Sequence, residues 1–131
     1  MWKDGLMHGH GIETMPDGAK YDGDYFKGAK QGLGHYTWNN GSEYRGEWRD
    51  NKISGFGTYR WLDGRYYEGE WIDDNMDGYG HYVWNDGRTF KGMYQNDKKH
   101  GYGIYVWTDG RMYSGGWVVG KQHGLGTYYV P

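Results

Sequence analysis

Asp73, Asn75 and Asp77 stand at alternate positions ahead of Gly78, as ligands do in the first half of a calcium-binding loop. Such a loop closes on a bidentate glutamate, and the residue at that distance is Trp84, so the stretch reads as a solvated hairpin loop. His8, His100 and His123 each stand just before a Gly-x-Gly pair, and His8 with His10 has the spacing of a chelate on a strand. Gln31, Ser54 and Asp77 fill the same position elsewhere and the chain has no cysteine, so these histidines read as surface residues, with no metal or cofactor expected. The glycine-rich run 28–34 lacks the Gly-Lys-Ser/Thr ending of a phosphate loop and leads into no helix. Ser42, Ser54 and Ser114 are the only serines, and nothing nominates a nucleophile or an acid/base pair. The chain reads as a non-enzyme.

What would position these residues is a repeat. Tyr21, Tyr44, Tyr67, Phe90 and Tyr113 fall in one column at a period of 23 residues, and a glycine follows two positions on each time. Two further on comes an aromatic: Trp2, Tyr25, Trp48, Trp71, Tyr94 and Trp117. Next come a Gly-x-Gly pair and a Tyr-x-Trp pair, giving Tyr36/Trp38, Tyr59/Trp61, Tyr82/Trp84 and Tyr105/Trp107. The array divides into a partial unit 1–20, full units 21–43, 44–66, 67–89 and 90–112, and a partial unit 113–131. Both ends are cut inside the motif, so a segment of a longer array is expected.

Composition agrees with an extended form. The chain of 131 residues holds 26 glycines and only three phenylalanines, and its aromatic content of 20% leaves Tyr and Trp to supply most of the buried surface. A formal charge of -2 without a block of like charges argues against nucleic acid as a partner. No apolar run is long enough to span a membrane, and residues 1–20 carry no signal-peptide core, so a soluble, cytoplasmic protein is expected.

Within a unit both segments alternate. Tyr67, Gly69 and Trp71 take one side against Glu68, Glu70 and Ile72; Gly78, Gly80, Tyr82 and Trp84 then oppose Tyr79, His81 and Val83. The connection 73–78 and the turn 85–87 carry the residues of turns, which makes each unit a hairpin joined to the next. An indole is expected over the bare backbone of Gly69, Gly78 or Gly80. The expected fold is all-β: an elongated, twisted, single-layer antiparallel sheet of about six consecutive β-hairpins, roughly 55 Å long and with no separate globular core.

A unit reading Tyr-x-Gly-x-Trp, then Gly-x-Gly-x-Tyr-x-Trp, then Asp-Gly resembles the MORN (membrane occupation and recognition nexus) repeat over the whole chain. Tyr25 and Tyr94 depart from its Trp, and Phe90 from its Tyr. The resemblance implies a scaffold without chemistry of its own. Similar arrays serve junctional complexes, cilia, cytoskeletons, and the regulatory ends of lipid kinases and lysine methyltransferases, so fold leaves the partner open.

The ring-bearing face is where a partner is expected. Tyr36, Trp38, Tyr59, Trp61, Tyr82, Trp84, Tyr105 and Trp107 form an aromatic row that is either sealed by its own packing or open as a groove for a helix or extended peptide. The first reading is therefore a cytoskeletal, ciliary or junctional scaffold that binds protein and forms a homodimer. The second is an adaptor at anionic lipid membranes, through Lys27, Lys30, Lys98 and Lys99 in hairpin loops. Against it stands an acidic band, Asp22, Asp24, Glu47, Glu68 and Glu70, on the face away from the rings. The third is a regulatory array of a larger enzyme.

Overall fold

The computed structural model describes residues 2–3 and 5–131, with side chains from Gly5 onward. Met1 and the ring of Trp2, the first of the six aromatics in its column, lie outside this description. The short strands β1 (Trp2–Lys3) and β2 (Leu6–Met7) pair with each other. Eleven more make one antiparallel sheet: β3 (Gly9–Thr14), β4 (Lys20–Phe26), β5 (Ala29–Thr37), β6 (Glu43–Arg49), β7 (Lys52–Arg60), β8 (Tyr66–Ile72), β9 (Asn75–Val83), β10 (Thr89–Gln95), β11 (Lys98–Val106), β12 (Met112–Val118) and β13 (Lys121–Tyr129). Their order in the sheet is their order in the chain, without a crossover. At about 4.8 Å per strand the sheet runs about 48 Å from first strand to last.

The register shows how a unit is made. On β8 and β9 Tyr67 faces Tyr82 and Gly69 faces Gly80, and the pairing then jumps to Trp71 opposite Met76. Between those pairs β8 spends only Glu70 while β9 spends residues 77–79, and the same irregularity recurs in every second strand pair. This bulge corrects the strict alternation read from sequence. Gly78 does not join Gly80 on the ring face: it sits at φ 97°, and a Cβ there would meet the Glu70 carboxylate on the other face.

The connection 73–78 is also shorter than its composition suggested. β9 begins at Asn75, so only Asp73 and Asp74 turn the chain, both at positive φ as a two-residue hairpin turn requires. Asp74 then ties unit to unit: its N–H donates to the Ile53 carbonyl and its Oδ1 accepts from the Ile53 N–H, each at 2.8 Å. Asn51 bonds Lys30 and Asp97 bonds Met76 in the same way. Of the residues that resembled half a calcium loop, Asp73 turns the chain, Asn75 pairs with Ile72 in the ladder, and Asp77 accepts from the Asn96 N–H of the next hairpin.

The core is a line, one residue type deep. Tyr21, Tyr44, Tyr67 and Phe90 are fully buried, and Tyr25, Trp48, Trp71, Tyr94 and Trp117 lie nearly so beside them. The Tyr67 ring covers Gly69 and Gly80, and its hydroxyl donates to the Glu70 carbonyl at 3.0 Å. It is thus the phenol, and not the indole, that occupies the space of the missing Cβ atoms. The Trp71 indole packs edge-on to Tyr67 and to Tyr44 of the preceding unit, and its Nε1–H donates to the Gly57 carbonyl at 3.1 Å. Trp48 and Trp117 repeat that bond to Gly34 and Gly103.

Candidate interaction surface

On the same face as the buried line, and outside it, runs the row Tyr36, Trp38, Tyr59, Trp61, Tyr82, Trp84, Tyr105 and Trp107. Every ring touches the next. The centroid separations are 4.6, 5.1, 4.5, 5.4, 4.4, 5.5 and 4.7 Å, so the contact passes from unit to unit without a gap. Tyr82 is buried and the other seven are half-buried against the core. The row is therefore packed along its length but presents ring surface outward.

Cations lie across much of that surface. Arg65, Arg88 and Arg111 stack over Trp61, Trp84 and Trp107 at 5.1, 5.1 and 5.4 Å. Each guanidinium is held by the carboxylate two residues earlier, with Arg65 Nε 2.8 Å from Asp63, Arg88 Nε 2.8 Å from Asp86, and Arg111 Nε 2.7 Å from Asp109. The Arg65 N–H, together with that guanidinium, holds the Asp63 carboxyl below the usual carboxylate range. Arg65 and Arg88 then reach onward to donate to the hydroxyls of Tyr82 and Tyr105, each at 3.1 Å. One side chain thereby links a turn, a ring and the next unit.

The lysines named for lipid contact divide. Lys27 is exposed in a turn and Lys98 is exposed at the start of β11. Lys30 and Lys99, however, lie within β5 and β11, not in loops, and their ammonium groups point over the rings: Lys30 over Tyr21 and Tyr36, Lys99 over Trp84, Phe90, Tyr105 and Trp117. They occupy the slot that Ile53 and Met76 fill elsewhere, which is why alternation turns them inward. Burial pushes the Lys99 amine below its ordinary value. His8 belongs to the first unit and packs on Phe26, whereas His100 and His123 stand on β11 and β13. Among the described residues no three His, Asp or Glu side chains converge as a metal centre requires.

Asp22, Asp24, Glu47, Glu68 and Glu70 do stand away from the rings, on β4, β6 and β8. Sequence reasoning passed over their neighbours. Leu33, Phe56, Tyr79, Tyr102 and Leu125, the middle residues of the Gly-x-Gly pairs, form an exposed apolar column on that face. Glu47 and Glu70 stand opposite Leu33 and Phe56, but Met93 and Gly116 stand opposite Tyr79 and Tyr102, so the acidic face of the early units becomes apolar in the later ones. The signal was the single variable position inside an otherwise constant glycine pair.

Hairpins stacked in chain order around a linear aromatic core define an open β-repeat array. The MORN repeat matches this chain over residues 1–20, 21–43, 44–64, 67–87, 90–110 and 113–130, and the protein belongs to the MORN repeat family. The family's units are non-catalytic modules that bind proteins or membranes. No curated protein matches the chain.

Proposed function

We propose that this protein is a non-catalytic scaffold whose ring-bearing face receives a protein partner. The observation that carries the reading is the unbroken row from Tyr36 to Trp107, a band of half-buried rings fixed in place by the core beneath it. Rigid aromatic area with polar tips is what protein interfaces favour, because little side-chain entropy is lost when it is covered. Self-association is part of the reading. It is supported by the column Leu33, Phe56, Tyr79, Tyr102 and Leu125, an apolar surface on the opposite face that a second copy would cover.

Membrane adhesion through lysine is the weaker reading, because only Lys27 and Lys98 of the four candidates are exposed, the Lys27 ammonium lies over the Phe26 ring at 5.4 Å, and stable anchoring by charge calls for four or more clustered cations. The test is affinity capture with the wild-type chain and with Trp61→Ala and Trp84→Ala forms that keep their β-sheet spectrum, alongside co-sedimentation with vesicles containing phosphatidylserine. The expected result is loss of captured proteins in the variants and no sedimentation. Variants that keep every partner, or a wild-type chain that pellets with the vesicles at physiological salt, would sink the reading. Light scattering of Tyr102→Asp, expected to fall from dimer to monomer mass, tests the second face.

A further inference from the structure

The guanidinium caps are missing from the first two units. Ser42 and Ala19 stand where Arg65, Arg88 and Arg111 stand in the later units. The turn itself is unchanged: the Ser42 N–H donates to Asn40 Oδ1 and the Ala19 N–H to Asp17 Oδ1, each at 2.9 Å, as the Arg65 N–H does to Asp63. The side chain is what is lost. Ser42 is buried and its Oγ accepts from the Leu62 N–H, so it covers no ring.

Three groups are left open as a result. Trp38, half-buried between Tyr36 and Tyr59, has no cation over it among the described residues, unlike Trp61, Trp84 and Trp107. The Tyr59 hydroxyl has no protein partner among the described residues, whereas the Tyr82 and Tyr105 hydroxyls each accept from an arginine. Asp17 has no cationic partner among the described residues, whereas Asp63, Asp86 and Asp109 each hold one. Trp38 and Tyr59 together border an open hollow of about 420 Å³ that Tyr36, Ile53 and Lys30 also line, and the Lys30 ammonium there is turned over Tyr21 and Tyr36.

We infer that this vacancy between the second and third units is the entry point for an arginine side chain of an extended partner peptide. Its guanidinium lies over Trp38 and donates to the Tyr59 hydroxyl, taking the place that Arg88 takes on Trp84 and Tyr105. The unpaired Asp17 carboxylate at the next turn favours a cationic peptide over an acidic one. Arginine is favoured over lysine, because only a planar fork can stack on an indole and at the same time donate sideways to a phenol. The inference rests on the ring face being a protein-binding surface and adds which chemistry it selects.

The test titrates the whole chain with the peptide Gly-Ser-Gly-Arg-Gly-Ser-Gly and follows the indole N–H signals by NMR, with lysine and citrulline twins as controls. The arginine peptide should move the Trp38 signal; the lysine twin should bind about tenfold more weakly and the uncharged citrulline twin not measurably. Ser42→Arg, which gives the second unit the side chain of its neighbours, should abolish the shift while Ser42→Ala keeps it. Arg65→Ser should open a second site reported by Trp61, over which Arg65 is the cation and beside which the Tyr82 hydroxyl would be freed, an arm that decides the matter even if Ser42→Arg fails to fold. A Trp38 signal indifferent to the arginine peptide, or equal binding by all three peptides, overturns the inference. If Trp61→Ala and Trp84→Ala still lose their partners in that event, the scaffold reading stands and only the arginine falls.

Discussion

The phenol ring of Tyr67 occupies the space in which a Cβ on Gly80 would stand, and Gly69 directly across the ladder is covered by the same ring. Tyr21 over Gly34, Tyr44 over Gly57, Phe90 over Gly103 and Tyr113 over Gly126 repeat the arrangement. The two bare backbones let a ring lie flat against the sheet, and a single layer thereby obtains a core. Gly80→Ala forces the ring or the strand to move and is expected to cost about 3 kcal/mol in urea denaturation. Gly87→Ala is the control, since a Cβ there meets nothing and only its φ of 99° opposes the change, at about 1 kcal/mol. Equal losses at the two sites would mean that ring packing is not what requires Gly80.

The hydroxyl on that ring has its own role. Tyr21, Tyr44, Tyr67 and Tyr113 donate to the backbone carbonyls of Asp24, Glu47, Glu70 and Gly116 at 2.8 to 3.1 Å. Phe90, buried in the same place, has no hydroxyl to give the Met93 carbonyl. Phe90→Tyr should therefore stabilise the fold by about 1 kcal/mol, and Tyr67→Phe should cost about the same. Denaturation midpoints for the pair check both signs, and a destabilised Phe90→Tyr would show that the fifth unit differs in its backbone.

Val119 stands first in its two-residue turn at φ 48°, where the other units place Lys27, Asp50, Asp73 and Asn96. A β-branched residue in the left-handed region is strained, while asparagine enters it readily. Val119→Asn is expected to raise stability by about 1 kcal/mol and to lift the melting temperature by a few degrees. No change on melting would mean that this turn is relaxed in solution by another route.

Period, strand and hairpin were legible because a ladder forces alternation and a repeat prints it several times over. The eight rings of the outer row were legible as one face for the same reason. Which face residues 78 and 99 take was not. The bulge after Gly69 shifts parity on the odd-numbered strands, and alternation counted through it misplaces Gly78, while Lys99, two residues from the turn, resembles a loop cation until the register sets it opposite Tyr94. The missing arginine caps at Ala19 and Ser42 were visible as letters, but their meaning required the stacking of Arg88 on Trp84 to be seen first.

Alkaline pH should dismantle the array from its core outward. Burial, above all, raises the phenol pKa values of Tyr21, Tyr25, Tyr44, Tyr67 and Tyr94 well above the ordinary 10.0, so the folded state keeps protons that the unfolded chain gives up. Their contribution is complete below pH 10.0 and is lost above it, at up to about 1.4 kcal/mol per pH unit for each tyrosine. Lys99 works the other way. Burial lowers its pKa from 10.5, so its contribution to stability rises with pH between the depressed folded value and 10.5. Urea titrations from pH 7 to 12 should therefore show stability that first climbs slightly and then collapses steeply above about pH 10. Lys99→Met, which places the side chain of Met76 in the same slot, should remove the early rise and leave the collapse. A wild-type curve flat through pH 11 would mean that these tyrosines ionise as freely folded as unfolded, and that the phenol line is not the dry core its burial describes.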